Sequence, residues 1–156
     1  ELHPRRGAVA TELTLAKALE WIDLRRLIET DLIGLAIDHI TKHDLAEAEQ
    51  LLVDFESALD GHRNIDSWSE SNWEFHSALY RPARRPETMK LLATLHSKCD
   101  RYVRLQLLTG DHVQRAKEEH RQLVDLCRQR DKRGAKALMR KHTEGVEADL
   151  AEVLSP

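Results

Sequence analysis

The sequence predicts an all-α fold, an antiparallel bundle of six to seven helices, and three observations carry that prediction. Apolar residues recur at three- and four-residue spacing along nearly the whole chain. Helix breakers are scarce, six glycines and four prolines among 156 residues, and they fall where helices would end. Aromatic residues make up 4% of the chain against 33% charged residues, which leaves a sheet short of the side chains its strands favour. A chain of this length buries roughly 70% of its extended surface, enough for one sizeable core.

After an irregular opening, a short helical stretch is expected from about Thr11 to Trp21 and a long one from Asp23 to Ile40. The long one carries Leu24, Leu27, Ile28, Leu32, Leu35 and Ile40 as its apolar positions. Thr41 with Asp44 three positions on has the form of a capping box for the next helix. That helix shows Leu45, Ala48, Leu52, Phe55 and Leu59 on one face and ends at Asp60-Gly61. A further helix should run from about Asn64 to Tyr80. The Arg81–Pro86 segment stops it, and Pro86 suits the first turn of a helix reaching about Leu108. Gly110 breaks the pattern, and Asp111 can cap a helix to about Arg130. Asp131 can cap the last, about Lys132 to Val153, whose first turn Gly134 weakens.

Charge and cysteine content narrow the function classes. The net charge is −3, with Lys and Arg scattered among Asp and Glu, so phosphates meet no sustained basic surface. Cys99 and Cys127 sit inside apolar stretches with no partner at a motif spacing and read as reduced core residues. No apolar run approaches a membrane span, and the opening residues lack the apolar centre of a signal peptide. A soluble, cytoplasmic protein is the expectation.

The informative residues are those that interrupt the apolar stripes. Asn72 and His76, four apart, lie on the face marked by Ile65, Trp68, Phe75 and Leu79. His120 falls in the stripe Val113, Ala116, Leu123, Val124 and Cys127, and His142 in the stripe Ala135, Leu138, Met139, Val146 and Leu150. A buried imidazole needs partners, and three aimed at one interior could share a divalent cation. Burial keeps imidazole neutral, the form that ligates. Three imidazoles and one Asn72 oxygen would leave about two positions open on a six-coordinate ion, enough for a carboxylate. Zinc is the first expectation, with nickel, manganese or iron able to serve. Any one of these histidines taken alone is more often an ordinary core residue bonded to a backbone carbonyl. His3, His39, His43, His62, His96 and His112 are read as surface or structural residues.

At these positions the chain is similar to the FadR C-terminal domain family, the FCD effector-binding halves of GntR-type transcription regulators. The family's Asp-x-x-Phe-His is matched by Asn72-Trp73-Glu74-Phe75-His76, its Glu-His by Glu119-His120, and its late histidine by His142. Leu24-Arg25-Arg26-Leu27-Ile28-Glu29 resembles its Arg-x-x-x-Glu. The resemblance covers roughly residues 21–154. It implies that Asn72, His76, His120 and His142 hold a divalent metal and that a small organic acid completes its coordination. Arg25, Arg101 and Arg104 become candidates for gripping the acid, since a guanidinium holds both carboxylate oxygens. A solvated arginine whose stem covers apolar surface is the blander alternative. Asn72 departs from the family's Asp: an amide oxygen coordinates without a negative charge. Residues 1–10 resemble the end of a winged helix-turn-helix domain, which would make residues 11–156 the effector domain and place the DNA-reading part outside this chain. Homodimerisation is also implied by the resemblance.

Two other classes stay open on sequence grounds. A metal-dependent enzyme could use the same histidines, although no second carboxylate falls in a stripe as a general base; Glu74, Glu118 and Glu119 only flank the site. A helical interaction module would keep the histidines for structure alone.

Overall fold

Helix α1, Leu15–Ile37, is continuous where the sequence suggested two stretches. Asp23, where the second stretch was expected to begin, pairs through its side chain with Arg26 one turn on within the continuous helix. The structure is a computed structural model that describes residues 2–3, 7–8, 15–60, 65–107 and 111–154. Five more helices follow: α2 Lys42–Asp60, α3 Ile65–Tyr80, α4 Pro86–Leu107, α5 Asp111–Gln129 and α6 Lys132–Leu154. A 3₁₀ turn, Arg81–Ala83, links α3 to α4. Ahead of them β1, Leu2–His3, pairs antiparallel with β2, Gly7–Ala8, where the sequence suggested only an irregular opening. Gly61, Asn64 and Gly110, expected at helix ends, lie outside the described residues, as do Thr11 to Thr14.

The buried face of α1 corrects the sequence reading. Leu24 and Leu27, taken as core positions, are 42% and 68% exposed, while Arg25 and Glu29 are buried. The core stripe runs Ala18, Ile22, Arg25, Glu29, Leu32 and Ala36, a regular three–four repeat that includes two charged residues. Counting apolar residues alone rotates that stripe to the wrong side.

Helix ends are set by side chains as well as backbone. Thr41 and Asp44 cap α2 reciprocally: Asp44 N–H donates to Thr41 Oγ1 at 3.2 Å, and Thr41 N–H to Asp44 Oδ2 at 2.8 Å. At the end of α5, Arg130 takes a left-handed backbone (φ 57°), with Asp131 N–H donating to Leu126 O at 2.9 Å and Arg130 N–H to Cys127 O at 3.1 Å. The Arg130 guanidinium then donates to Ile37 O and Ile40 O, both at 2.8 Å, satisfying carbonyls at the end of α1. Asp131 caps α6 through Gly134 N–H at 2.9 Å. A Cβ on Gly134 would lie 2.8 Å from Leu126 Cδ2 and closer still to the Asp131 carboxylate, so glycine fits the cap.

Helix α1 packs against α6, α4 and α3, α2 packs against α3 and α5, and α5 against α6. Phe55, Phe75, Leu79, Leu92, Leu123 and Met139, drawn from five helices, are fully buried between them. Cys99 and Cys127 are buried and unbridged, as the sequence suggested. No helix among the described residues is long and apolar enough to cross a membrane.

Candidate metal centre

Each of α3, α5 and α6 brings one histidine to the interior because each carries it within its apolar stripe. His76 is flanked by Phe75 and Leu79, His120 by Leu123 and Val124, and His142 by Leu138 and Met139, all buried. The ligand atoms of His76, His120 and His142 lie within 4.8 Å of one another. His76 Nε2 and His120 Nε2 are 3.1 Å apart, and the His142 ring centroid stands 5.0 Å from that of His120 and 5.4 Å from that of His76. Nitrogens bound to one cation at roughly 2.0–2.1 Å sit about 3–4 Å from each other, so small side-chain rotations suffice to share an ion.

The electrostatics favour the ligating form. Burial drives His76 well below the usual imidazole range, against the opposing pull of Glu29. Burial, then the neighbouring His76 and His142, do the same to His120. Neutral imidazoles follow, and His120 Nδ1 is a buried nitrogen without a hydrogen-bond partner. A cluster of buried imidazole nitrogens with one orphaned polar atom fits a soft-to-borderline divalent cation. Asn72 is buried one turn before His76 on the same face of α3.

Two buried carboxylates flank the histidines. Glu29 receives Arg25 Nε at 2.7 Å and the Tyr80 hydroxyl at 2.7 Å, and Tyr80 Oη is 3.1 Å from His76 Nδ1. Burial alone would raise the Glu29 carboxyl, but the Arg25 charge and then His96 outweigh it and hold it well below the carboxylate range. Glu119 Oε2 lies 2.8 Å from His142 Nδ1. Burial of Glu119 is likewise outweighed, here by the bond to His142, so its carboxyl is also lowered.

Arg25, read from sequence as an effector contact, is thus buried against Glu29 inside the bundle. Arg104 is half-buried, paired with Asp100, and lines a cavity of about 360 Å³ between α3 and α4 together with Ser69, Trp73 and His96. The side chain of Arg101 lies outside the described residues.

His96 is the residue the sequence reading left aside. Its side chain is buried, with its ring centroid 4.5 Å from the Trp73 ring and 6.3 Å from that of His76. Its Nε2 is 3.4 Å from Glu29 Oε1, near enough for attraction, yet makes no hydrogen bond. Burial first, and the Arg25 charge second, lower it to about 4. The signal was present in α4, where His96 continues the stripe of Leu92, Cys99 and Tyr102 at helical spacing. Glu29 was visible as half of an i,i+4 pair with Arg25 and as the end of the Arg-x-x-x-Glu resemblance, and neither pattern shows that it is buried.

Among the described residues six packed helices enclose a histidine cluster, with a cavity beside it between α3 and α4, and so define an all-helical domain. Residues 20–145 match the family described as FCD domain, and the chain belongs to that family. It is therefore a domain of transcription regulators and not an enzyme. It is 29% identical over 93 residues to an uncharacterized HTH-type transcriptional regulator, BphR, of Paraburkholderia xenovorans (strain LB400); the match covers 60% of this chain and 38% of that protein. The fold is similar to that of E. coli McbR/YncC, with TM-score 0.84 and 18% identity, over 97% of this chain and 76% of the other. A GntR-family transcriptional regulator from Pseudomonas syringae pv. tomato str. DC3000 superposes with TM-score 0.76 at 22% identity, over 99% of this chain and 63% of its own. Streptococcus agalactiae GntR does so at TM-score 0.72 and 21% identity, over 84% and 58%.

Proposed function

We propose that this domain senses a small organic acid at a divalent metal, held by Asn72, His76, His120 and His142, and so controls DNA binding by a winged helix-turn-helix domain. The observation that carries the reading is the meeting of three buried imidazoles from three separate helices within 4.8 Å. A bound cation, zinc foremost, would supply open coordination positions to which carboxylate oxygens bind.

The chain's own residues do the rest. The cavity between α3 and α4 gives a small molecule room beside His96, itself a neighbour of His76. Arg104 on its wall offers a guanidinium to a carboxylate, in exchange for or alongside Asp100. Arg101 remains a candidate through the family resemblance alone. Arg25 can serve only by giving up part of its bond to Glu29. The effector acts through unequal affinity for two arrangements of a homodimer, and that shift repositions two winged helices on paired half-sites. Residues 1–10, with the β1–β2 ribbon, fit the end of a wing. Such a regulator works in the cytoplasm.

The test is metal analysis of the purified domain together with a zinc titration followed by calorimetry. Stoichiometric uptake that is abolished in His120→Ala supports the reading. Protein that takes up no zinc, nickel or manganese and gains no melting temperature from them returns the histidines to a structural role.

A further inference from the structure

The tautomers of the histidines follow from hydrogen-bond bookkeeping. Glu29 lies against the Arg25 guanidinium and, as a carboxylate, only accepts. Tyr80 has one hydroxyl proton and two acceptors in reach, Glu29 Oε2 at 2.7 Å and Met139 Sδ at 3.4 Å, and the short bond to the carboxylate takes it. At the 3.1 Å contact between Tyr80 Oη and His76 Nδ1 the hydroxyl therefore accepts, and Nδ1 must carry the proton. The lone pair of His76 is then on Nε2, the nitrogen that faces His120.

His142 is arranged the same way from the other side. Its Nδ1 is 2.8 Å from Glu119 Oε2, an acceptor, so Nδ1 holds a proton and, in the neutral ring, Nε2 the lone pair. His120 has no carboxylate behind it among the described residues. Facing a lone pair on His76, its Nε2 is the donor of the 3.1 Å contact, and its Nδ1 is the orphaned nitrogen. Two of the three imidazoles are thus preset for ligation through Nε2, and one has to move its proton.

We propose that Glu119, directly, and Glu29, through Tyr80, are the positioning residues of this centre, each fixing one imidazole in the tautomer that offers Nε2. The inference rests on the metal reading above for its purpose, but the placement of the protons can be measured without metal. It explains two charged residues and a tyrosine held in the core, where each costs desolvation that packing alone would not require. It also assigns Arg25 a part, since its charge keeps Glu29 an acceptor.

The test uses the metal-free protein, with long-range ¹H–¹⁵N spectra of the histidine rings, followed by zinc titration against a competing chelator. Nδ1–H tautomers at His76 and His142 and an Nε2–H tautomer at His120 are expected in the wild type. Tyr80→Phe should release the tautomer of His76 only, Glu119→Leu that of His142 only, each weakening zinc roughly 10- to 100-fold. Nε2–H tautomers at His76 or His142 in the wild type, or variants that keep both tautomer and affinity, overturn the proposal. The two arms are independent, so a Tyr80→Phe protein that does not fold leaves Glu119→Leu to decide. Wild-type protein that takes up no zinc overturns the metal reading, and the tautomer spectrum of that same sample still supports or overturns the placement of the protons.

Discussion

Asn72 sets the charge of the candidate centre. With an amide there, the proposed ligand set is neutral, and a bound divalent cation would keep its full charge for an anionic effector. Asn72→Asp should tighten zinc on the order of tenfold or more, because a carboxylate adds a charge attraction in a buried setting. A titration showing unchanged or weaker affinity removes Asn72 from the ligand set. His96 titrates in an unusual window. Its folded-state value is about 4 against about 6.5 when unfolded, and His76 and His120 are lowered as well. Unfolding therefore takes up protons between those limits: stability is complete above pH 6.5 and lost as pH falls toward 4. Each histidine contributes a slope of about 1.4 kcal/mol per pH unit. Urea unfolding of metal-free protein from pH 7 to pH 4.5 should show this, and His96→Gln should flatten it by one proton. An unchanged slope contradicts the neutral, buried His96.

Helix boundaries and helix faces were not equally legible. The Thr41–Asp44 box and Pro86 in the first turn of α4 were readable because capping depends on residues three apart in sequence. Thr41→Ala should cost about 1 kcal/mol, read as a lower urea midpoint with unchanged m-value. The corner between α1 and α2 was not readable, since Arg130 reaches it from 90 residues away in sequence. Arg130→Ala should cost about 2 kcal/mol, for it removes charge-assisted bonds to Ile37 O and Ile40 O. Arg130→Gly should cost about 1 kcal/mol less than the alanine, because glycine occupies φ 57° without strain. Equal losses in the two variants would show that the left-handed backbone carries no cost. The face of α1 was misread for a related reason: Arg25 and Glu29 satisfy each other in the core, and a hydrophobicity pattern has no way to credit a buried ion pair.

At the scale of the whole domain, the candidate centre joins α3, α5 and α6 and is braced from α1 through Glu29 and Tyr80. A ligand at such a junction stabilises the bundle as a unit. Zinc at a hundred times its dissociation constant should add about 2.7 kcal/mol, a rise of roughly 5–10 °C in melting temperature for a chain of this size. Magnesium, which prefers oxygen ligands, should add nothing. Calorimetry with each ion decides this, and equal shifts from both would point to weak surface binding.

Sequence alone determined the helical class, most helix ends, the reduced cysteines and the inward direction of His76, His120 and His142. These depend on periodicity and on neighbours within a turn, which the chain displays directly. Only the tertiary structure decided that α1 is one helix with a charged core face, that His96 is buried beside His76, and that Glu29 and Glu119 stand behind the imidazoles. Those are relations between side chains far apart along the chain, fixed by how helices pack, and local pattern carries no information about them.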